Sequence, residues 1–172
     1  DDVLGVLVVV PEIPGYRIIR ELGRGGMATV YLAIQEKFDR QVAVKVMDPE
    51  MPHDETFSKR FRRESRIVAK LNHPHIIQVH DVGLAGNHHY LVMELVTGGE
   101  LNDRLEEGLD VTTAFRVIKE IARALDFAHS QNFIHRDIKP ENILFREDGS
   151  SVLSDFGIAR GVDSDEQITT MG

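Results

Sequence analysis

Three residue types that can do chemistry together occur within six positions in the second half of the chain. Asp137, Lys139 and Asn142 supply a carboxylate, an ammonium and an amide. These groups suit a proton acceptor, a clamp for a phosphate group and a ligand for a metal ion on one loop. A second carboxylate, Asp155, follows eighteen residues after Asp137 and precedes the apolar Phe156. The spacing predicts two acids with separate roles, one of them at a metal.

The same residues resemble the signature of the protein kinases. The chain reads His-Arg-Asp-Ile-Lys-Pro-Glu-Asn over 135–142, and Asp-Phe-Gly follows at 155–157. The resemblance implies phosphoryl transfer from ATP, in which Asp137 accepts the proton of a substrate hydroxyl or orients that hydroxyl, and Lys139 neutralises charge on the transferred group. It also implies that Asn142 and Asp155 hold Mg²⁺. Lys139 in this setting resembles Ser/Thr kinases rather than Tyr kinases.

A glycine-rich turn between two predicted strands lies near the start of the chain. Gly23, Gly25 and Gly26 let backbone amides approach phosphate oxygens because no Cβ stands in the way. In kinases such a hairpin covers ATP, and the resemblance implies the same role here. Ala28 stands where kinases usually carry a third glycine, which stiffens the tip of the loop. The sequence Gly-Gly-Met-Ala-Thr-Val-Tyr at 25–31 is similar to the corresponding segment of bacterial kinases of the eukaryotic type.

A single lysine interrupts the β-branched run 41–46, and a lysine among apolar strand residues needs a partner or a ligand. By resemblance, Lys45 orients the phosphates of ATP. The helix predicted to follow carries Glu64 in its middle, and we expect Glu64 to pair with Lys45. The alternative for Glu64 is a salt bridge within its own helix, to Lys59 or Arg60.

Apolar residues from several predicted strands match the adenine pocket of kinases. The resemblance assigns six residues to that pocket: Val30, Ala43 and Leu144 on the faces of the ring, Met93 behind it, and Glu94 and Val96 as backbone partners. Glu100 matches a position that contacts ribose or substrate in some kinases. Four residues match the stacked regulatory spine of kinases: Val68, Val79, His135 and Phe156.

Composition excludes several other function classes. The 172 residues carry a net charge of −8, and no Lys/Arg cluster is long enough to follow a nucleic-acid backbone. There is no cysteine, so neither a disulfide nor a thiolate metal site can form, and the eight histidines lack zinc-ligand spacing. The apolar run at residues 1–10 is too short to span a bilayer of about 30 Å. We expect a cytoplasmic protein without a membrane segment in this chain.

The resemblance to protein kinases implies an α+β, protein-kinase-like two-lobe fold. Residues 1–13 form a leader without assigned function, 14–96 a small antiparallel β lobe with one long helix, and 97–172 a partial, helical large lobe that ends in the activation segment. Strands are predicted at 16–22, from the end of the glycine-rich turn through 33, and at 41–46, 76–83 and 88–96. Helices are predicted at 54–71 and 112–130. The second predicted helix has a wide apolar arc, and we expect further helices to pack against that arc.

Three functions are compatible with these residues. The first is a Ser/Thr protein kinase that uses ATP and Mg²⁺ on a protein substrate. The second is a truncated regulatory fragment that binds ATP without protein kinase activity, and the third is an interaction fragment that uses the basic face around Arg62. Thr169 and Thr170 lie on a polar segment after Asp155, and Arg136 could pair with a phosphate there. We therefore expect autophosphorylation at Thr169 or Thr170.

Overall fold

A five-stranded antiparallel sheet makes up most of the first part of the chain in the computed structural model, which describes residues 11–48 and 55–157. Its spatial order is β1-β2-β3-β5-β4, so strands that are consecutive in sequence lie side by side except β3 and β4, which β5 separates. The predicted strands are all present within the described residues. Their bounds are β1 (Tyr16–Arg24), β2 (Ala28–Gln35), β3 (Arg40–Met47), β4 (Val79–Ala85) and β5 (His88–Glu94).

The alternation along β3 decides which side chains face the second part of the chain. Val42, Val44 and Val46 point into an apolar cluster on one face of the sheet. Because successive strand residues point to opposite faces, Lys45 lies with Ala43 on the other face. The ladder places Lys45 between Val30 of β2 and Leu91 of β5. The run of β-branched residues therefore forms a central strand that presents one ammonium group to the cleft.

Helix α1 (Glu55–Val68) packs one side on this sheet. Phe57, Phe61 and Val68 are buried at helical spacing, and Glu64 is buried in the same stripe. The helix was expected to run from 54 to 71, but it ends at Val68, where the amide of Leu71 donates to the Val68 carbonyl in a tight turn. A turn of this kind leads the chain out of the helix before Pro74. Residue 54 lies outside the described residues.

The second part of the chain is mainly helical. Helix α3 (Val111–Ser130) confirms the predicted 112–130 helix, and Asp110 caps it by accepting a 2.9 Å hydrogen bond from the amide of Thr113. Three short elements were not predicted. They are helix α2 (Leu101–Glu107) and strands β6 (Ile143–Phe145) and β7 (Ser151–Leu153), which pair as a hairpin.

The segment between α1 and β4 joins the two parts. Residues 76–78 were expected to start β4, but Ile76 instead forms a parallel bridge with Leu153 of β7. The amide of Ile77 donates to the Leu153 carbonyl at 3.0 Å, and the amide of Leu153 donates to the His75 carbonyl at 2.9 Å. One apolar core cluster runs through both parts, from Phe61 and Val79 to Ile121 and Phe156. The sheet and the helical part therefore share their interior.

The outer face of α3 is open in the described residues. Val117, Ile121 and Ala124 face the core, whereas Phe115 is 70% exposed and Ile118 is 65% exposed. The predicted apolar arc is therefore covered on one side only. At the other end of the chain, Ile13 is buried and bridges to Tyr16, so it packs with the sheet although the expected leader includes it. No helix within 11–48 and 55–157 is both long and apolar enough to cross a membrane.

Candidate active site

A cleft of about 630 Å³ lies between the sheet and the helical part, and it collects most of the predicted site residues. The glycine hairpin between β1 and β2 forms its roof. The loop before β6 and the residues after β7 form its floor. The predicted residues that line the cleft are Gly23, Gly25, Gly26, Val30, Lys45, Met93, Asp137, Lys139, Asn142 and Asp155. These residues come from six separate stretches of the chain, and folding brings them to one site.

Asn142 and Lys139 hold the carboxylate of Asp137. The amide nitrogen of Asn142 donates to the Asp137 carbonyl oxygen at 2.8 Å and to its Oδ2 at 3.0 Å. The Nζ of Lys139 is 3.9 Å from the same Oδ2. Because a single turn at Pro140–Asn142 folds the loop back, the three predicted groups converge on one point. The arrangement fixes the orientation of an acid that faces the cleft.

His135 connects this loop to Asp155. Its Nε2 lies 2.7 Å from the carbonyl oxygen of Ser154, so Nε2 carries the proton, and its Nδ1 accepts from the amide of Asp137 at 3.1 Å. Burial is the largest cause that lowers the pKa of His135, in keeping with a neutral ring. The His135 ring packs on Phe156 with centroids 4.6 Å apart. Val68, Val79 and Phe156 share the core cluster, as the spine resemblance implied.

Two residues beside the acids adopt left-handed backbone conformations. Arg136 has φ of 66° and Asp155 has φ of 53°. Such conformations cost roughly 1–3 kcal/mol each in residues with a side chain, and they cluster at functional sites. The amide of Gly157 donates to the His135 carbonyl at 3.0 Å and secures this turn. The backbone is therefore held in a strained geometry at Asp155 and at the residue before Asp137.

The predicted pair between Lys45 and Glu64 is wrong for this structure. The Nζ of Lys45 forms its ion pair with Oδ1 of Asp155. Glu64, which is buried, pairs instead with Nη1 of Arg136 at 3.3 Å. The physical reason is that the position of α1 relative to the loop before β6, which carries Arg136, decides which cation reaches Glu64. Arg136 reaches it from below, and Lys45 extends along the cleft to the second acid.

The adenine residues implied by the resemblance lie together. Ala43 of β3 is directly opposite Met93 of β5, and both are buried with Ile77 and Val152. Partly buried apolar neighbours pack against this group: Val30, Leu95, Val96 and Leu144. A group of apolar side chains of this kind suits a flat, apolar ring. Ile77 and Val152 were not predicted to belong to this group, since Ile77 stood only as part of the predicted strand 76–83 and Val152 lay in no predicted element.

The linker between β5 and α2 is bound closely to β6. The amide of Gly98 donates to the Phe145 carbonyl at 2.8 Å, and the amide of Phe145 donates to the Gly99 carbonyl at 2.9 Å. Arg104 donates to the Gly98 carbonyl at 3.1 Å and lies 3.5 Å above the centre of the Phe145 ring. A Cβ on Gly98 would stand 2.3 Å from the Phe145 carbonyl oxygen, so this position requires glycine.

The carboxylates at the mouth of the cleft influence one another. Burial is the largest cause that raises the pKa of Glu100, and the neighbouring charges of Asp103, Glu141 and Asp155 raise it further. Lys139 opposes this shift. Glu141 also lines the cleft and was not singled out in the sequence, although it lies between Lys139 and Asn142. The mouth is therefore strongly acidic.

The donor set of the floor fits a magnesium ion. Mg²⁺ prefers carboxylate and carbonyl-type oxygens. Asn142 uses its amide nitrogen on Asp137, which leaves its oxygen as the atom for a metal, and Asp155 lines the same cleft with a carboxylate. The roof fits phosphate groups, because a Cβ on Gly23 or Gly26 would meet no atom within 4 Å. Thr169 and Thr170 lie outside the described residues.

Comparison with known proteins gives the same family. Residues 16–172 match the family described as the protein kinase domain. The chain is 45% identical over 163 residues to the serine/threonine-protein kinase PknJ of Mycobacterium tuberculosis, covering 92% of this chain and 28% of that protein. It is 44% identical over 150 residues to the probable serine/threonine-protein kinase pknA2 of Bifidobacterium longum, covering 84% of this chain and 20% of that protein.

Solved structures agree with these sequence matches. The crystal structure of the Mycobacterium tuberculosis PknI kinase domain superposes with a TM-score of 0.78 at 35% identity, covering 86% of this chain and 62% of that one. The expected α+β, two-lobe fold is thereby confirmed. The chain spans about a fifth to somewhat over a quarter of the length of the curated relatives described above. It belongs to the protein kinase family, and its match covers the N-terminal part of a bacterial Ser/Thr kinase domain.

Proposed function

We propose that the protein that carries this chain transfers a phosphoryl group from Mg-ATP to a Ser or Thr hydroxyl of a protein. The observation that carries this proposal is the single cleft that brings Lys45, Asp137, Lys139, Asn142 and Asp155 together under a glycine hairpin. The family match supports the reaction class. Phosphoryl transfer needs a supply of ATP, which supports a cytoplasmic location for this domain.

Asp137 and Lys139 act on the substrate side in this proposal. The carboxylate of Asp137, oriented by Asn142, accepts the hydroxyl proton or aligns the hydroxyl for attack. Lys139, 3.9 Å from that carboxylate, places a positive charge where negative charge develops on the transferred group. Positioning and charge are the main contributions a protein makes to this reaction.

Lys45 and the roof act on the nucleotide side. Lys45 orients the phosphates, and the amides of the glycine hairpin, with Gly23, Gly25 and Gly26, cover them. When bound, Mg²⁺ neutralises phosphate charge, and Asn142 and Asp155 are the residues that would hold it. The apolar side chains around Ala43 receive adenine, with the Glu94 and Val96 backbone at their edge.

The linker supports a division of labour between lobes. We propose that residues up to Val96 form a small lobe that binds nucleotide, and that Thr97 onward belongs to a large lobe that also binds the protein substrate. The sheet and α1 lie before this boundary, and α2 and α3 lie after it. The shared core keeps the two lobes in contact.

The experiment compares Asp137→Asn with Asp155→Asn in the whole protein. Asp137→Asn is expected to keep Mg-ATP affinity within about twofold while phosphoryl transfer falls by roughly a hundredfold or more. Asp155→Asn is expected to weaken Mg²⁺-dependent nucleotide binding itself, because it removes a metal-holding charge. Calorimetry with Mg-ATP measures binding, and ADP release with a generic protein substrate measures transfer.

Two results would count against the proposal. Identical binding losses in both variants would remove the division of roles between the acids. Nucleotide binding without any transfer in the unmodified protein would favour the ATP-binding regulatory fragment instead. Asp126→Asn is the matched control, because Asp126 is an acid on α3 that does not line the cleft.

A further inference from the structure

Arg146 reaches three segments that the chain order separates. It follows β6 in the helical part, yet its Nη2 and Nε donate to the two carboxylate oxygens of Glu94 at 2.8 and 3.3 Å. Its Nη1 donates to the carbonyl oxygen of Pro74, in the loop before β4. Arg146 is only partly exposed. One guanidinium thus connects the end of β5, the loop after α1 and the end of β6.

Glu94 is the point where β5 becomes the linker. Its Oε1 also accepts from the amide of Gln78 at 2.9 Å, and its own amide donates to the Gln78 carbonyl at 2.9 Å. The carboxylate is therefore held by Arg146 from the large lobe and by Gln78 from the small lobe. The backbone of Glu94 has little freedom to rotate about the strand axis.

We propose that Arg146 is a positioning residue for ATP, acting through Glu94. The inference rests on the proposed function, in which the backbone from Glu94 to Val96 is the edge that adenine contacts. Arg146 fixes the direction in which that edge presents its carbonyl and amide groups. Because the groups are aligned before the nucleotide arrives, their ordering does not weaken its binding.

An arginine is needed for this role because three acceptor atoms on two residues receive hydrogen bonds from its guanidinium. Two carboxylate oxygens and one backbone carbonyl require the fork of donors that a guanidinium provides. A lysine carries its three donors on one atom at the end of a flexible stem, so it lacks the rigid fork that holds both Glu94 oxygens and the Pro74 carbonyl together. Arg146 does not line the cleft, and its Nε, Nη1 and Nη2 are used on Glu94 and Pro74, so its proposed effect on ATP passes through Glu94.

The test measures nucleotide binding and turnover in the whole protein for Arg146→Met, Arg146→Lys and Glu94→Gln. The expected result for Arg146→Met is a five- to twentyfold rise in the dissociation constant of Mg-ADP and in KM for ATP, while kcat stays within about twofold. For Arg146→Lys, the logarithm of the Mg-ADP dissociation constant is expected to rise by more than half of the rise seen in Arg146→Met. The double variant of Arg146→Met with Glu94→Gln should bind no more weakly than the weaker single variant.

Arg116→Met is the matched control. Arg116 donates to the Gly149 carbonyl at 2.6 Å and is 3.5 Å from Glu120, so it joins α3 to the β6–β7 turn without contacting the linker. Its loss should lower the melting temperature while leaving Mg-ADP binding unchanged. Should Arg146→Met prove too unstable to purify, Arg146→Lys and Glu94→Gln carry the same comparison.

Two outcomes would overturn the inference. One is a folded Arg146→Met protein that binds Mg-ADP like the unmodified protein. The other is an affinity loss in Arg116→Met as large as that in Arg146→Met, which would reduce the effect to general stability. Absence of phosphoryl transfer in an unmodified protein that still binds Mg-ADP would refute the proposed function alone, and the binding constants would still decide the role of Arg146.

Discussion

Replacing Gly98 by alanine tests the attachment of the linker to the large lobe. The added Cβ would stand 2.3 Å from the Phe145 carbonyl oxygen, 2.8 Å from the Phe145 carbonyl carbon and 3.0 Å from the Arg146 carbonyl oxygen. All three neighbours are backbone atoms. A side chain could rotate away from the methyl group, but these atoms can move only if the linker separates from β6.

The cost follows from two contributions. Forcing a methyl group into a packed site costs about 1–3 kcal/mol. Moving the linker also lengthens the 2.8 Å hydrogen bond from the Gly98 amide to Phe145, which contributes about 0.5–1.5 kcal/mol. The sum, roughly 1.5–4.5 kcal/mol, is a large share of a typical stability of about 5–15 kcal/mol. For a unit of about 150–250 residues it lowers the melting temperature by roughly 3–18 °C.

Chemical and thermal unfolding of the whole protein measure this change. Gly23→Ala is the matched control for stability, because a Cβ on Gly23 meets no atom within 4 Å. Its melting temperature should stay within about 2 °C of the unmodified protein. If Gly98→Ala melts together with Gly23→Ala, the close approach of the linker to β6 does not constrain the fold, and the reasoning fails.

Four further outcomes are expected. Lys45→Ala and Lys45→Arg should both abolish turnover in the whole protein, since the planar guanidinium of an arginine cannot replace a point charge among apolar neighbours. Undiminished turnover in either variant would contradict the proposal that Lys45 orients the phosphates. Mass spectrometry after incubation with Mg-ATP should find phosphate on Thr169 or Thr170, and an active protein with both residues unmodified would contradict this autophosphorylation. The 172-residue chain alone should melt broadly and bind hydrophobic dye. Exposed apolar side chains such as Phe115 each lack the roughly 1.5–3 kcal/mol of free energy that burial would contribute. A sharply melting monomer would contradict this expectation. Burial, with His75 and Arg123, lowers the pKa of His73, so its contribution to stability is complete above about pH 6.5 and declines as the pH falls below it. His73→Gln should therefore make the free energy of unfolding depend less on pH below about 6.5.

Local patterns carried most of the fold prediction. The alternation around Lys45 places that side chain on the cleft face of a central strand, and the glycines before Ala28 form the hairpin as expected. Both depend on a few adjacent residues, which a sequence displays directly. The short strands β6 and β7 have three residues each, so no periodicity could reveal them. Helix α2 lacks a side-chain cap and gave no start signal.

The partners of the charged site residues could not be predicted in the same way. Glu64 could be assigned to the buried stripe of a helix, but not to Arg136, because its partner depends on where α1 lies above a loop more than 70 residues away. Arg146 and Glu94 are 52 positions apart and belong to no common pattern. Long-range ion pairs are set by the packing of elements, which sequence spacing does not record.

The parallel bridge between Ile76 and Leu153 has a consequence for synthesis on the ribosome. All five strands of the sheet have been made once Glu94 is in place, but the amide of Ile77 and the carbonyl of His75 receive their partners only when Leu153 emerges. That residue comes roughly 60 positions later, which at about 5–20 residues per second is a delay of roughly 3–12 s. Throughout that interval the nascent chain exposes the loop after α1 and the apolar surface behind it. A chaperone that binds extended apolar segments has its opportunity in that interval, before the hairpin of β6 and β7 closes over the loop.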